Sequence, residues 1–168
     1  MTRGEPSPDE STAYHEAGHA LVGHILGFVI DGITIVGKKD LGGYALIRRR
    51  PAFPGIVDFD PAQRPPGDIS LADRLTYLYA GVVAQRLLCA QRGVSSEPVR
   101  PGDDIYVARS SVQHLPKEEQ IELLDSAEKR AMELLSDPQN WQMLESIAAK
   151  LLECRSLDGS SLLELLLR

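Results

Sequence analysis

The segment from residue 12 to residue 24, TAYHEAGHALVGH, carries three histidines and a glutamate. His15 and His19 are four positions apart. On a helix they lie about 40° apart and one turn along the axis, so both imidazoles reach toward the same point from one rigid element. Glu16 sits about 100° round from His15, on the side where a metal-bound water would be. This is the HExxH pattern, in which two histidines bind zinc and the glutamate acts as general base. His24 lies nine residues beyond His15, about 180° round a continuing helix, and points away from that site. The extended metzincin pattern needs a glycine and a histidine three and six residues past the second histidine. Those positions are Val22 and Ile25, so that class is excluded.

A five-residue pattern also arises by chance, and a lone helix histidine is ordinarily packed or solvated. Here two histidines and a glutamate share an amphipathic helix, with Ala17 and Gly18 between them. Such small residues let another segment approach the metal-binding face.

The helix that carries the pattern has a clear start. Ser7 is a suitable N-cap, Pro8 suits the first helical position, and Asp9 and Glu10 suit the positive end of the dipole. It should run to about Gly27, a natural stop. Residues 29–36 are rich in β-branched types and read as a strand, and residues 43–48 as a second strand, giving a small hairpin. Residues 49–68 hold five prolines and read as a loop, either a lid or a loose insertion. From Ser70 to about Gln91 a wide apolar face (Leu71, Leu75, Leu78, Val82) predicts a central buried helix. A short helix starts at Asp103. Further helices are predicted from Pro116 to about Leu135, with Ile121, Leu124, Ala127 and Ala131 in register, from Asp137-Pro138 through Leu151, and from about Gly159 to Leu167. The fold class expected is mainly α: a helical bundle carrying the HExxH helix beside a small β-hairpin or sheet, an α+β arrangement in one domain spanning 1–168.

Composition narrows the function classes. The 168 residues are 43% hydrophobic and 25% charged, with a formal net charge of −6. That balance argues against nucleic acid or an anionic membrane as main partner; the basic run Arg48-Arg49-Arg50 reads as a solvated strand end. Cys89 and Cys154 make no disulfide framework and match no cysteine–zinc spacing, so a reducing compartment and two buried thiols are expected. The polar N-terminal residues show no signal peptide, and the longest apolar run, 17–30, is shorter than the roughly 20 residues that cross a bilayer. These features predict a cytoplasmic protein without direct membrane insertion.

TAYHEAGHALVG resembles the peptidase-domain motif of the FtsH family of membrane-bound, ATP-dependent zinc proteases. The resemblance continues in order along the chain: a hairpin, a long helix containing LTYLYAGVVAQRLL, a loop, the segment GDDIYVAR and a helical tail. It implies a third zinc ligand, an aspartate in the segment matching DDIYVA. By position this is Asp104, with Asp103 as the competing residue; an aspartate at a helix start also commonly caps the backbone, and Asp103 is assigned to that role. Two departures stand out. The family carries acidic residues after the Gly-x-x-Ala segment of the long helix, where this chain has Gln85 and Arg86. The family's peptidase domain also follows a membrane anchor and an ATPase module, and no GxxxxGK[ST] phosphate-binding loop occurs in these 168 residues.

The expected function is a zinc-dependent metallopeptidase acting on unfolded or short polypeptides. His15, His19 and Asp104 are its metal ligands and Glu16 its base. The open edge of the hairpin, Gly43 to Ile47, would take an extended peptide as an added strand. Because imidazole binds zinc only when neutral, metal and activity should fade as pH falls through the histidine range. The alternative is a catalytically silent, peptidase-like module that binds polypeptides or a protein partner. A purely structural zinc would need a fourth protein ligand, and His114 is the only histidine left over. A homo-oligomer or a separate ATPase partner is compatible with the resemblance.

Overall fold

The computed structural model describes residues 4–36, 69–96, 99 and 103–167. In chain order the elements are α1 (Pro8–Ile25), β1 (Gly32–Thr34), α2 (Leu71–Arg92), α3 (Asp103–Val112), α4 (Lys117–Ser136), α5 (Pro138–Cys154), β2 (Ser156–Asp158) and α6 (Gly159–Leu166). The architecture is mainly α with one small antiparallel sheet. The expected strand 43–48, its edge from Gly43 to Ile47 and the proline-rich stretch 49–68 lie outside the described residues. Among the described residues, no helix is long and apolar enough to cross a membrane.

Helix ends follow local chemistry. Ser7 Oγ accepts from the Glu10 amide at 3.2 Å and opens α1, with Pro8 in its first turn. The helix ends at Ile25, and Gly27 takes φ +81° just beyond. At the start of α2, Ser70 Oγ accepts from the Asp73 amide at 3.0 Å, and its hydroxyl donates to Asp73 Oδ2 at 2.8 Å. Gly93, left-handed at φ 68°, closes that helix. Asp137 and Asp158 cap α5 and α6 in the same way.

The core forms where α1 and α2 pack on each other, with α4 against α2 and α5 against α1. The α1–α2 seam is built from small residues where the backbones meet: Gly18 on one side, Ala80, Gly81 and Ala84 on the other. A Cβ on Gly18 would stand 2.7 Å from the Ala80 carbonyl oxygen and 2.8 Å from the Ala84 Cβ, so the two backbones approach closely enough to exclude a side chain.

Among the described residues, β1 pairs with β2, in the register Gly32↔Asp158, Ile33↔Leu157 and Thr34↔Ser156. Ile33 and Leu157 are both buried, and Thr34 Oγ1 lies 2.6 Å from Ser156 Oγ. The strand is shorter than the β-branched run 29–36 suggests, since Val29 and Val36 are exposed. Two further expectations are corrected. Ile121 is exposed, whereas the expected Ala127 and Ala131 are buried together with Leu135. Cys89 is buried but Cys154, the last residue of α5, is exposed. Periodicity places Cys154 on the buried stripe of α5 without saying where the facing surface ends.

Candidate metal centre

α1 supplies His15, Glu16 and His19 from consecutive turns, and the first turn of α3 brings Asp104 to them. Asp104 Oδ2 lies 3.1 Å from His15 Nε2 and 3.2 Å from His19 Nε2, and the two Nε2 atoms are 3.1 Å apart. Three electron-pair donors therefore converge on one point. A tetrahedral ion with ligand bonds of about 2.0–2.1 Å requires donor atoms roughly 3.3 Å apart, close to what these side chains present. Among the described residues, His15, His19 and Asp104 are the group that can hold a metal ion. Two imidazoles and one carboxylate suit zinc and leave a fourth position free. His24 is not in the group; it occupies the last turn of α1, where a histidine suits the negative end of the dipole. Asp103 is exposed at the first position of α3, where its charge suits the opposite end.

α2 forms the wall behind the rings. His19 Nδ1 donates to the Tyr77 carbonyl at 2.9 Å. A carbonyl oxygen only accepts, so Nδ1 carries the proton and, in the neutral ring, the lone pair of Nε2 faces Asp104 and His15. His15 Nδ1 lies 3.1 Å from Gln85 Oε1. Between these supports stands Gly81. A Cβ there would come within 2.5 Å of His15 Cε1 and 2.6 Å of both Nε2 atoms, so any side chain would occupy the space of the rings. Neither Gly81 nor the Tyr77 carbonyl is marked by residue type in an apolar helix. Gln85 stood out only as a departure from an acidic pattern.

Electrostatics pull the group in opposite directions. Burial alone would depress the His15 imidazole, but hydrogen bonding to Asp104, with the charges of Glu16 and Asp104, outweighs it and lifts the ring to about 9. Burial opposes ionisation of Asp104 as well, yet the two histidines hold its carboxyl far below the usual carboxylate range. Without an ion, the proton held by His15 offsets the carboxylate. Glu16 differs. It is 4% exposed and its Oε1 lies 3.9 Å from His15 Nε2. Burial pushes its carboxyl up, only partly offset by the two histidines. Its Oε2 is buried without a hydrogen-bond partner among the described residues. A buried carboxylate oxygen left unpaired is costly, and it marks a place where an exchangeable proton or polar ligand belongs.

Such an arrangement, two helix imidazoles and a carboxylate beside a buried glutamate, could hold a single metal ion. Comparison with known proteins points the same way. The chain is 30% identical over 189 residues to the ATP-dependent zinc metalloprotease FtsH 1 of Sphaerobacter thermophilus, covering 90% of this chain and 27% of that protein. It is 25% identical over 178 residues to FtsH 2 of the same organism, covering 89% of this chain and 26% of the relative. A third match, 33% identical over 107 residues, is to FtsH of Lactococcus lactis and covers 61% of this chain and 14% of that protein. No protein-family model matches. The chain spans about a quarter of the length of the first two relatives, and the comparisons support a relationship to FtsH zinc metalloproteases over most of its residues.

Proposed function

We propose that this chain is a zinc-dependent metallopeptidase domain that hydrolyses peptide bonds in unfolded or short polypeptides. The observation that carries the reading is the convergence of His15 Nε2, His19 Nε2 and Asp104 Oδ2 beside the unpaired, buried Oε2 of Glu16. The relationship to zinc metalloproteases supports it. His15, His19 and Asp104 would hold the ion. A bound zinc would supply Lewis acidity toward a carbonyl oxygen and a more acidic water.

The remaining chemistry belongs to Glu16. Its carboxylate takes a proton from the attacking water as the new C–O bond forms, and returns it to the amine as the C–N bond breaks. A carboxyl pushed upward by burial suits both steps, since it holds the proton between them rather than releasing it to solvent. Substrate class follows from access. His19 and Glu16 are almost fully buried, whereas the His15 and Asp104 side chains retain 19% and 27% exposure, so a reacting bond must enter a recess. An extended chain does this and a folded surface does not. Within these 168 residues the proposal covers hydrolysis alone. Unfolding of a folded substrate would require an ATPase partner, and a homo-oligomer would be one way to organise it.

The test is cleavage of casein by the purified chain. Parent protein should cleave, lose activity to a chelator and recover it with zinc. Glu16→Gln should retain zinc and lose at least about 100-fold in rate. A zinc-loaded parent that leaves casein intact would sink the peptidase reading and favour a silent binding module; a Glu16→Gln variant as active as the parent would remove the assigned base.

A further inference from the structure

We infer that Gln85 is a positioning residue for the metal centre, an amide locked by Ser11 so that it fixes which nitrogen of His15 is free to bind the ion. The inference rests on the metal-site reading above.

Ser11 lies one helical turn before His15 on α1. Gln85 Nε2 reaches across the seam from α2 and lies 2.8 Å from Ser11 Oγ and 3.3 Å from the Ser11 carbonyl oxygen. That carbonyl can only accept, so the amide nitrogen must face Ser11 and the amide oxygen must face the other way. What it faces is His15 Nδ1, at 3.1 Å. An amide oxygen also only accepts, so Nδ1 must carry a proton. In the neutral ring this leaves the lone pair on Nε2, the atom 3.1 Å from Asp104 Oδ2. One carbonyl on α1 thus sets the amide, the amide sets the ring, and the ring presents its donor to the site.

His19 reaches the same tautomer through the Tyr77 carbonyl. The two supports differ in kind. Tyr77 contributes backbone, which no substitution removes, whereas His15 depends on a side chain. Gln85 is thus the place where a single substitution would release one ligand and leave the other held. Partners of this sort typically contribute 10–100-fold in metal affinity by orienting a ligand and fixing its tautomer. Unlike a carboxylate at the same place, the amide adds no charge to a site that already holds Asp104 and Glu16.

The experiment measures zinc affinity by competition with a chromophoric chelator in the parent, Gln85→Leu and Gln85→Glu. Long-range proton–nitrogen NMR of the zinc-loaded parent reads the His15 tautomer. The parent should bind zinc with His15 protonated at Nδ1. Gln85→Leu, near in volume but without an acceptor, should bind zinc about 10–100-fold more weakly. Gln85→Glu, which restores an acceptor, should recover most of that loss. A simple packing role would predict no such rescue by a charged residue. The inference is overturned alone if the parent takes up zinc but Gln85→Leu binds it equally well, or if the NMR places the His15 proton on Nε2. If the parent itself takes up no zinc, the metal reading falls and takes this inference with it. The NMR measurement needs no variant, so a poorly folding substitution leaves the question decidable.

Discussion

The α1–α2 seam and the C-terminal closure, where α5 and α6 pack on the β1–β2 pair, are built on opposite principles. The seam is lined by alanines and glycines and holds the polar cluster; the closure is lined by Ile33, Leu157 and Leu162, all buried. Burial contributes roughly 0.8 kcal/mol per methylene, so residues without a long side chain add little stability individually. What small residues provide is proximity: two backbones close enough for α2 to touch both imidazoles. The difference suggests a division of labour, with the closure stabilising the chain and the seam positioning the chemistry.

That division is breakable from either side. The largest effect is expected at the closure. Leu162→Ala removes a side chain only 1% exposed and should cost about 2–5 kcal/mol of unfolding free energy, with zinc affinity unchanged in the folded fraction. Denaturant unfolding and chelator competition on the same sample would check it; a parallel fall in affinity would mean that the two regions are coupled.

The converse is Gly81→Ala. Alanine favours helix over glycine by about 1 kcal/mol, so the metal-free chain has no propensity reason to be less stable. The new methyl would nevertheless stand 2.5–2.6 Å from atoms of the His15 and His19 rings, which must turn away from each other and from Asp104. Zinc affinity should fall by more than about 100-fold, roughly 2.7 kcal/mol. Parent-like zinc binding by this variant would refute the claim that the seam exists for close approach.

Proton linkage sharpens the comparison, because only the seam should respond to pH near neutrality. Without metal, the folded-state pKa of His15 is raised from 6.5 to about 9. Its stabilising contribution is then fully present below pH 6.5 and is lost as pH rises through about 9, an effect on the order of 1–3 kcal/mol. Glu16, also raised, shares that sign, and the depressed Asp104 acts only in acid. Zinc reverses the trend, since protons compete for the ligands and bound metal stabilises more as pH rises. The gap in Tm between zinc-loaded and metal-free protein should therefore widen from pH 6.5 to 9. A constant gap would contradict the assignment of His15 as a ligand.

How much of this was legible in the sequence follows the range of the interactions. Ser7, Pro8, Ser70 and Asp137 announce helix starts because capping is local, and the observed starts agree with them. The His15–His19 spacing needs only the helical repeat. β2 left no trace, since Ser156–Asp158 is too short for an alternation and its partner lies more than a hundred residues away. The Gly81 contact and the Ser11–Gln85–His15 chain are likewise invisible, because they depend on how two helices cross. Asp104 was reached only through resemblance; nothing in Asp103-Asp104 distinguishes a ligand from a residue that complements the helix dipole.

The smallest effect returns to the closure, at Arg155. It is the one non-glycine residue with positive φ among the described residues, at 67°, and it stops α5 immediately before β2. Its carbonyl accepts from the Ile35 amide at 2.9 Å and from Thr34 Oγ1 at 3.1 Å, and its guanidinium pairs with Asp9 at the start of α1. The carbonyl bonds survive any substitution, and the ion pair is exposed, so it contributes about 0–1 kcal/mol. Arg155→Ala loses the pair and keeps the left-handed strain. Arg155→Gly loses the pair too but relieves the strain, which costs roughly 1–2 kcal/mol, against an unfolded-state entropy penalty of roughly 0.5–1 kcal/mol. Glycine should therefore be the more stable of the two variants by up to about 1 kcal/mol. If alanine is the more stable, the turn between α5 and β2 is held by something other than the backbone conformation at this residue.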